Sequence, residues 1–284
     1  MRSILIFINL LFSFSILNAQ IPTPYLGSND LYGLKLEDGT IVLDPKYEYI
    51  NPFKNGIALV KQGKLFDSIY GFVDTKGIEI IPLIYSAAWD FRNGLAKVQK
   101  NDKWGFINNK NEPIIPFHYD ELEEFEEGLA GASINDKWGF INIKNETVIR
   151  FQYDGILSFS ENYASIRIAD KWGFIDKKGN LMIKPQFDMV DQFSEGLAAV
   201  AKNDKWGFID KTGNLKIPFQ YDLISKSSEG LIAVRKNDLW GFINQSGKQI
   251  TPIHFRIAED FKDGKSLVEL NGKAYYINKE GKKI

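Results

Sequence analysis

The chain contains no cysteine, two histidines and almost no net charge, and these shortages exclude several classes of protein. Without cysteine there is no disulfide framework, no thiol nucleophile and no cysteine-ligated zinc or iron–sulfur cluster. Two histidines leave little for histidine-ligated metals or general base catalysis. Because 35 basic residues balance 36 acidic ones, we expect no nucleic-acid partner. Proteins that bind nucleic acids usually carry an excess of basic residues. We likewise expect no cofactor, no metal site and no enzymatic activity.

One long apolar run lies at the N-terminus. Arg2 is followed by an apolar stretch over residues 4–17, and Ala19 provides the small residue that signal peptidase requires. The stretch is shorter than the roughly 20 residues of a membrane-spanning helix, so residues 1–19 predict a secretory signal cleaved near Ala19. We therefore expect a periplasmic or secreted protein without a transmembrane span in the mature chain. The remainder, 20–284, is predicted to form a single repeat domain.

The mature chain repeats one unit of 34 residues. The pentad Trp-Gly-Phe-Ile-Asp/Asn begins at Trp104, Trp138, Trp172, Trp206 and Trp240. Worn copies begin at Tyr32, Tyr70 and Ala274, so the sequence holds about eight units. Four extra residues separate the first two copies, and we place them in a longer hairpin tip at 62–68.

Each unit predicts short strands rather than helices. In 197–222 an apolar segment, an Asn-Asp turn, the Trp-Gly-Phe strand, a Gly-Asn turn and a third extended segment follow one another. A helical repeat of the same period needs two helices with apolar residues at i, i+3, i+4 and i+7, and no such run occurs. The sequence therefore predicts an all-β fold.

Two arrangements of the units are compatible with this pattern. A hairpin is unstable by itself, so the units must stack on their neighbours. Thirty-four residues hold three strands comfortably, and four only if they are very short, whereas a propeller blade of four strands usually takes about 40–45 residues. We therefore predict tandem β-hairpin repeats stacked as an open superhelical β-solenoid, with a closed seven- or eight-bladed β-propeller as the alternative.

The repeated Lys-Trp-Gly-Phe-Ile-Asp/Asn, followed by a turn, Ile-Pro and Tyr-Asp, resembles the WG (KWG) repeat family of bacterial, often exported, β-repeat proteins. The resemblance covers nearly all of the mature chain. The lysine is absent at Leu239-Trp240 and Ile69-Tyr70, and the motif is unrecognisable at Ala274-Tyr275. What the resemblance implies is a repeat scaffold that mediates interactions, without a shared reaction or ligand.

A residue that recurs in every unit serves the fold, whereas one that departs from its column is a better functional candidate. The recurring Trp104, Trp138, Trp172, Trp206 and Trp240 are therefore interpreted as structural repeat core. Trp89 stands where other units have polar residues, and Arg92 is close by in the sequence. Together with the off-column Arg235, they are our candidate partner-binding residues.

The remaining polar columns favour structural roles. His118 and His254 occupy a strand position held elsewhere by glutamine, and metal ligation would need further ligands. The aspartates that precede each Trp strand, and those that follow the Tyr column, are interpreted as turn-forming residues. A row of calcium sites is disfavoured, because a lysine follows the turn aspartate in most units.

The sequence thus predicts an exported, non-enzymatic scaffold that binds a protein or peptide in the cell envelope or outside the cell. The alternative is a carbohydrate-binding or carbohydrate-cleaving β-repeat protein, since aromatic residues and carboxylates are plentiful.

Overall fold

The computed structural model describes residues 20–64 and 67–284. The predicted signal of residues 1–19 lies outside the described residues, and so do residues 65 and 66 of the predicted longer hairpin tip. The chain divides into two compact units, one ending at Asn93 and the other spanning Gly94–Ile284. They divide the range for which we predict a single domain, and that prediction stays a prediction.

The first unit consists of antiparallel sheets. One sheet has the order β1-β2-β3 and the next β4-β5-β6-β7, followed by the short β8. The strands are β1 (Thr23–Leu26), β2 (Tyr32–Lys35), β3 (Ile41–Tyr47), β4 (Tyr49–Ile50), β5 (Ile57–Gln62), β6 (Ile69–Asp74), β7 (Glu79–Tyr85) and β8 (Ala87–Ala88).

The second unit repeats the same meander. Its strands are β9 (Leu95–Lys100), β10 (Lys103–Asn108), β11 (Pro113–Tyr119), β12 (Glu121–Glu126), β13 (Leu129–Ile134), β14 (Lys137–Asn142), β15 (Thr147–Tyr153), β16 (Gly155–Ser160), β17 (Tyr163–Ile168), β18 (Lys171–Asp176), β19 (Leu181–Phe187), β20 (Met189–Ser194), β21 (Leu197–Lys202), β22 (Lys205–Asp210), β23 (Leu215–Tyr221), β24 (Leu223–Ile224), β25 (Leu231–Lys236), β26 (Leu239–Asn244), β27 (Ile257–Ala258), β28 (Lys265–Leu270) and β29 (Lys273–Asn278). Successive sheets are β12–β15, β16–β19 and β20–β23, each with its strands in chain order, followed by β24–β26 and β27–β29.

Two-residue turns allow four strands to fit into one 34-residue repeat. The hairpin between β13 and β14 turns at Asn135 and Asp136, both with positive φ (51° and 59°), as a type I′ turn requires. The hairpin between β20 and β21 turns at Glu195 and Gly196, again with positive φ. Our expectation that 34 residues hold four strands only if they are very short was therefore wrong. The strands of the β12–β15 sheet have six or seven residues each, because such turns consume almost no chain.

The glycine of each pentad permits a close approach between neighbouring strands. A Cβ built on Gly139 would lie 2.5 Å from the carbonyl oxygen of Ile149, and one on Gly207 would lie 2.4 Å from that of Ile217. At the same place the pairing of β14 with β15 shifts register between Trp138 and Phe140. The glycine of β14 therefore accommodates a bulge in β15.

The core lies between successive sheets, not within one. Phe140 is fully buried and packs edge to face on Phe159 of the next sheet, with 4.8 Å between ring centroids. Phe174 and Phe193 repeat this contact at 4.9 Å. Small residues such as Ala130 and Ala132 are also fully buried and join the cluster around Phe106 of the preceding sheet.

The all-β class and the tandem hairpin repeats are confirmed. Each repeat forms an open antiparallel sheet, and within each unit successive sheets stack on one another, as the solenoid prediction requires; no sheet of the described residues closes into a barrel. Within the same residues, no helix is long and apolar enough to span a membrane.

We predict that Gly207→Ala lowers the free energy of unfolding by roughly 1–3 kcal/mol, because the new methyl group collides with backbone rather than with a mobile side chain. Gly155→Ala is the control, since its Cβ would meet the flexible Arg167 side chain at 3.2 Å. Urea denaturation followed by tryptophan fluorescence measures both. Equal losses in the two variants would contradict the close-approach explanation.

Candidate functional site

Four aspartates connect successive sheets of the second unit at one end of the strands. Asp154 accepts a hydrogen bond from Lys137 Nζ at 2.6 Å in the preceding sheet and from the Ala169 amide at 2.9 Å in the following hairpin. We call these contacts aspartate bridges. The same arrangement links Asp120 to Lys103 and Asn135, Asp188 to Lys171 and Asn203, and Asp222 to Lys205 and Asn237.

The bridges stabilise the ionised carboxylates. The lysine hydrogen bond comes first and the backbone amide second in holding the pKa of Asp154 below its ordinary value. The pKa values of Asp120, Asp188 and Asp222 are lowered by the same two contacts. Charge-assisted hydrogen bonds of this kind favour the deprotonated acid.

Four glutamates connect successive sheets of the second unit at the opposite end of the strands. Glu161 accepts a hydrogen bond from the backbone amide of Gly196 at 3.0 Å and pairs with Lys211 Nζ at 3.0 Å. Both partners belong to the next sheet. We call these contacts glutamate bridges. The others join Glu127 to Asn162 and Lys177, Glu195 to Gly230, Ser227 and Gln245, and Glu229 to Gly264 and Lys279.

Sequence reasoning assigned the aspartates that follow the Tyr column, which form the aspartate bridges, to turn formation and missed their partners. The signal was present, because the lysine before Trp and the aspartate 17 residues later change together. Leu239 replaces the lysine where Arg256 replaces the aspartate, and Ile69 coincides with Ser86. At the altered place Arg256 pairs instead with Glu269, through two hydrogen bonds.

The recurring tryptophans lie at the border of the core. All five are half-buried, and each packs against the buried cluster of its own and the next sheet. Lys97 Nζ lies 5.2 Å from the ring centroid of Trp104, and the Arg167 guanidinium carbon lies 5.7 Å from that of Trp172. The fully buried members of the pentad are its glycine, phenylalanine and isoleucine.

Trp89 is an exposed aromatic side chain in the first unit. It is 53% exposed, and Arg92, three residues later, is exposed as well. Asp90, which lies between them, accepts a hydrogen bond from the side-chain Nδ2 of Asn51 at 2.7 Å and pairs with Lys54 Nζ at 2.8 Å. The segment that carries Trp89 is thus fixed to the segment between β4 and β5.

Arg235 belongs to the second unit and lies on β25, directly opposite Trp240. Its guanidinium approaches Asp238 at 3.5 Å, and its Nε is buried without a hydrogen-bond partner in the described part of the chain. This places Arg235 beside the tryptophan column, whereas Trp89 and Arg92 share one short segment of the first unit.

Each histidine contacts an aromatic neighbour in the segment that follows a Trp-Gly-Phe strand and pairs with it. The rings of His118 and Tyr119 are 5.6 Å apart, and those of His254 and Phe255 are 4.3 Å apart. Across residues 20–64 and 67–284, no three histidine, aspartate or glutamate side chains are grouped so that they would hold a metal ion.

Comparison with protein families gives seven consecutive matches to the WG containing repeat. They cover residues 32–66, 70–104, 104–138, 138–172, 172–206, 206–240 and 240–273. A search of curated proteins gives no significant match.

Solved structures resemble the chain in fold. A eukaryotic initiation factor matches with a TM-score of 0.53 and 11% identity, over 89% of this chain and 84% of that one. Hsv2 of Kluyveromyces lactis matches with a TM-score of 0.43 and 9% identity, over 66% of this chain and 71% of its own. These structures are β-propeller-like. At 11% identity, the likeness to the initiation factor shows the fold alone.

We predict that the aspartate bridges make stability depend on acid pH. Because the pKa values of the four aspartates are lowered by folding, their stabilisation is present above the ordinary pKa of about 4 and is lost as pH falls through the lower folded-state values. The variant with Asp120, Asp154, Asp188 and Asp222 changed to Asn should therefore show a smaller fall in melting temperature between about pH 5 and pH 2.

The control for this experiment changes three turn aspartates, Asp136, Asp170 and Asp204, to Asn. Their side chains make no hydrogen bond or ion pair within the part of the chain that the structure describes. If this control flattens the pH profile as much as the bridge variant does, the bridges are not its source.

Proposed function

Because the chain belongs to the WG containing repeat family, we propose that it is an exported, non-enzymatic scaffold that binds a partner protein in the cell envelope or outside the cell. The recurring polar residues support this, since they are engaged in the fold itself. The carboxylates of the aspartate and glutamate bridges, for instance, are bound to lysines and backbone amides. They therefore contribute to the scaffold rather than to a reaction.

Trp89 is the observation that carries the proposal. Large aromatic side chains provide much of the binding energy of protein interfaces when a partner covers them. Trp89 stands in a column whose other members vary, so the repeat itself does not require a large aromatic side chain there; they are Glu123, Leu157, Asp191, Ser225 and Glu259. Its exposure and the fixed position of Asp90 give a partner an ordered aromatic anchor.

A carbohydrate partner has less support. Stacking on a sugar needs an open aromatic face, and Lys97 and Arg167 lie over two of the tryptophan rings. Among the plentiful carboxylates that suggested glycoside chemistry, those of the aspartate and glutamate bridges are engaged between sheets.

The first experiment tests export. The full-length precursor is expressed in a bacterial host, and the N-terminal sequence and cellular fraction of the product are determined. We expect a chain that begins close to residue 20 in the periplasm or the medium. An uncleaved product confined to the cytoplasm would contradict the export part of the proposal.

The second experiment tests the binding surface. Wild-type protein, Trp89→Ala, Arg92→Ala and the control Ile78→Ala are used to capture partners from detergent-extracted envelope and from culture supernatant. Ile78 is also exposed (57%) and lies in the same unit. Proteins and glycans in each eluate are identified.

We expect one enriched protein with the wild type and with Ile78→Ala, and a recovery reduced at least about tenfold with Trp89→Ala, as for an aromatic hot spot. Equal recovery with all variants would remove Trp89 from the surface. Enrichment of glycan without protein would favour the carbohydrate alternative instead.

A further inference from the structure

The outer segments of the repeats carry proline, with one exception. Each outer segment pairs with the Trp-Gly-Phe strand on one side and lies at the edge of its sheet. In six of them a proline occupies the fourth or fifth position: Pro45, Pro82, Pro116, Pro185, Pro218 and Pro252. In β15 the corresponding residues are Arg150 and Phe151.

Proline at an edge removes an amide hydrogen that a further strand would otherwise bind. The register of β11 against β10 is the same as that of β15 against β14, with the same shifts between Trp and Phe. Because Pro116 lacks an amide hydrogen at the equivalent position of β11, the amide of Arg150 is not required by the pairing with β14. The Phe151 nitrogen lies beside Gly139 of β14, so the Arg150 amide is the one that we assign to the open edge of the sheet.

The side chains around this edge are accessible. Val148, Arg150 and Gln152 are exposed and share one face of β15, whereas Ile149 and Tyr153 point into the core. Within the described residues, β15 has β14 as its sole ladder partner and forms the edge of its sheet.

We infer that the open edge of β15 binds an extended peptide segment of a partner protein by antiparallel strand addition. In this mode main-chain hydrogen bonds provide affinity and alternate side chains provide specificity. The inference rests on the proposed function as a protein-binding scaffold and gives it a second surface, in the second unit.

Charge determines the kind of segment that fits. Arg150 projects from the exposed face of β15, and the equivalent residue of the next outer strand is Lys184. Directly opposed side chains of paired strands interact, and like charges repel. An edge arginine therefore deters a basic strand and favours one with an acidic residue opposite Arg150 and an apolar residue opposite Val148.

The test uses defined probes. A dye-labelled octapeptide of alternating valine and glutamate is titrated with the full mature chain, and binding is followed by fluorescence anisotropy. Two matched probes replace glutamate by lysine, or carry N-methyl groups on alternate amides so that they form no strand ladder. We expect saturable binding of the valine–glutamate peptide and at least tenfold weaker binding of both matched probes.

The variants separate the edge from its charge. Arg150→Pro should weaken binding of the valine–glutamate peptide at least tenfold without disturbing the fold, because proline occupies this position in four other units. Arg150→Glu should reverse the preference toward the valine–lysine peptide. Pro116→Arg should raise the number of bound peptides from one to two.

Several outcomes would overturn the inference. They are wild-type binding that does not saturate up to about 1 mM, equal binding by the N-methylated probe, or unchanged binding in Arg150→Pro with unaltered circular dichroism. Concentration-dependent dimerisation lost in Arg150→Pro, without peptide binding, would replace the peptide by a second copy of this chain. Envelope capture that depends on Trp89 but not on Arg150 would leave the proposed function standing and remove this edge.

Discussion

A sheet built from one 34-residue unit has no interior of its own, and every other feature of the structure follows from this constraint. Each sheet has two faces, and both carry apolar side chains. Phe140 is buried against Phe159 of the next sheet, and Ala130 is buried against the preceding one. The stack is therefore the smallest folded object, and the exposed surface left for function is the ends and edges of strands.

Apolar contact between sheets is not directional, and so it leaves their relative register open. The carboxylate bridges provide the missing direction. From the β12–β15 sheet to the β24–β26 sheet, an aspartate bridge at one end of the strands and a glutamate bridge at the other connect each sheet to the next. Two fixed points at opposite ends determine both the offset and the angle between neighbouring sheets.

The repeat period and its alternating apolar residues were enough to predict the all-β class and the hairpins. The fourth strand was missed because strand counts depend on turns, and an Asn-Asp turn of two residues leaves room for one more strand. The depth of the tryptophans was not predictable, since a recurring Trp fits a core and a core border equally well. Neither was the exposure of Trp89, which depends on neighbours far apart in the sequence. The partners of Asp120 or Asp154 lie 15 to 17 residues away, and comparing the columns in pairs would have found them.

The bridges also have a genetic consequence. A 34-residue repeat that keeps its lysine, aspartate and glutamate carries one half of each bridge on each of its two faces. One such repeat therefore fits beside any other. Duplication or loss of 34 residues between Lys103 and Asp222 would leave every carboxylate with a partner. The pair Arg256 and Glu269 does not follow this rule, and a unit inserted beside it would meet a mismatched charge. The length of the array is thus free to change in its middle during evolution, while its last units are kept in place.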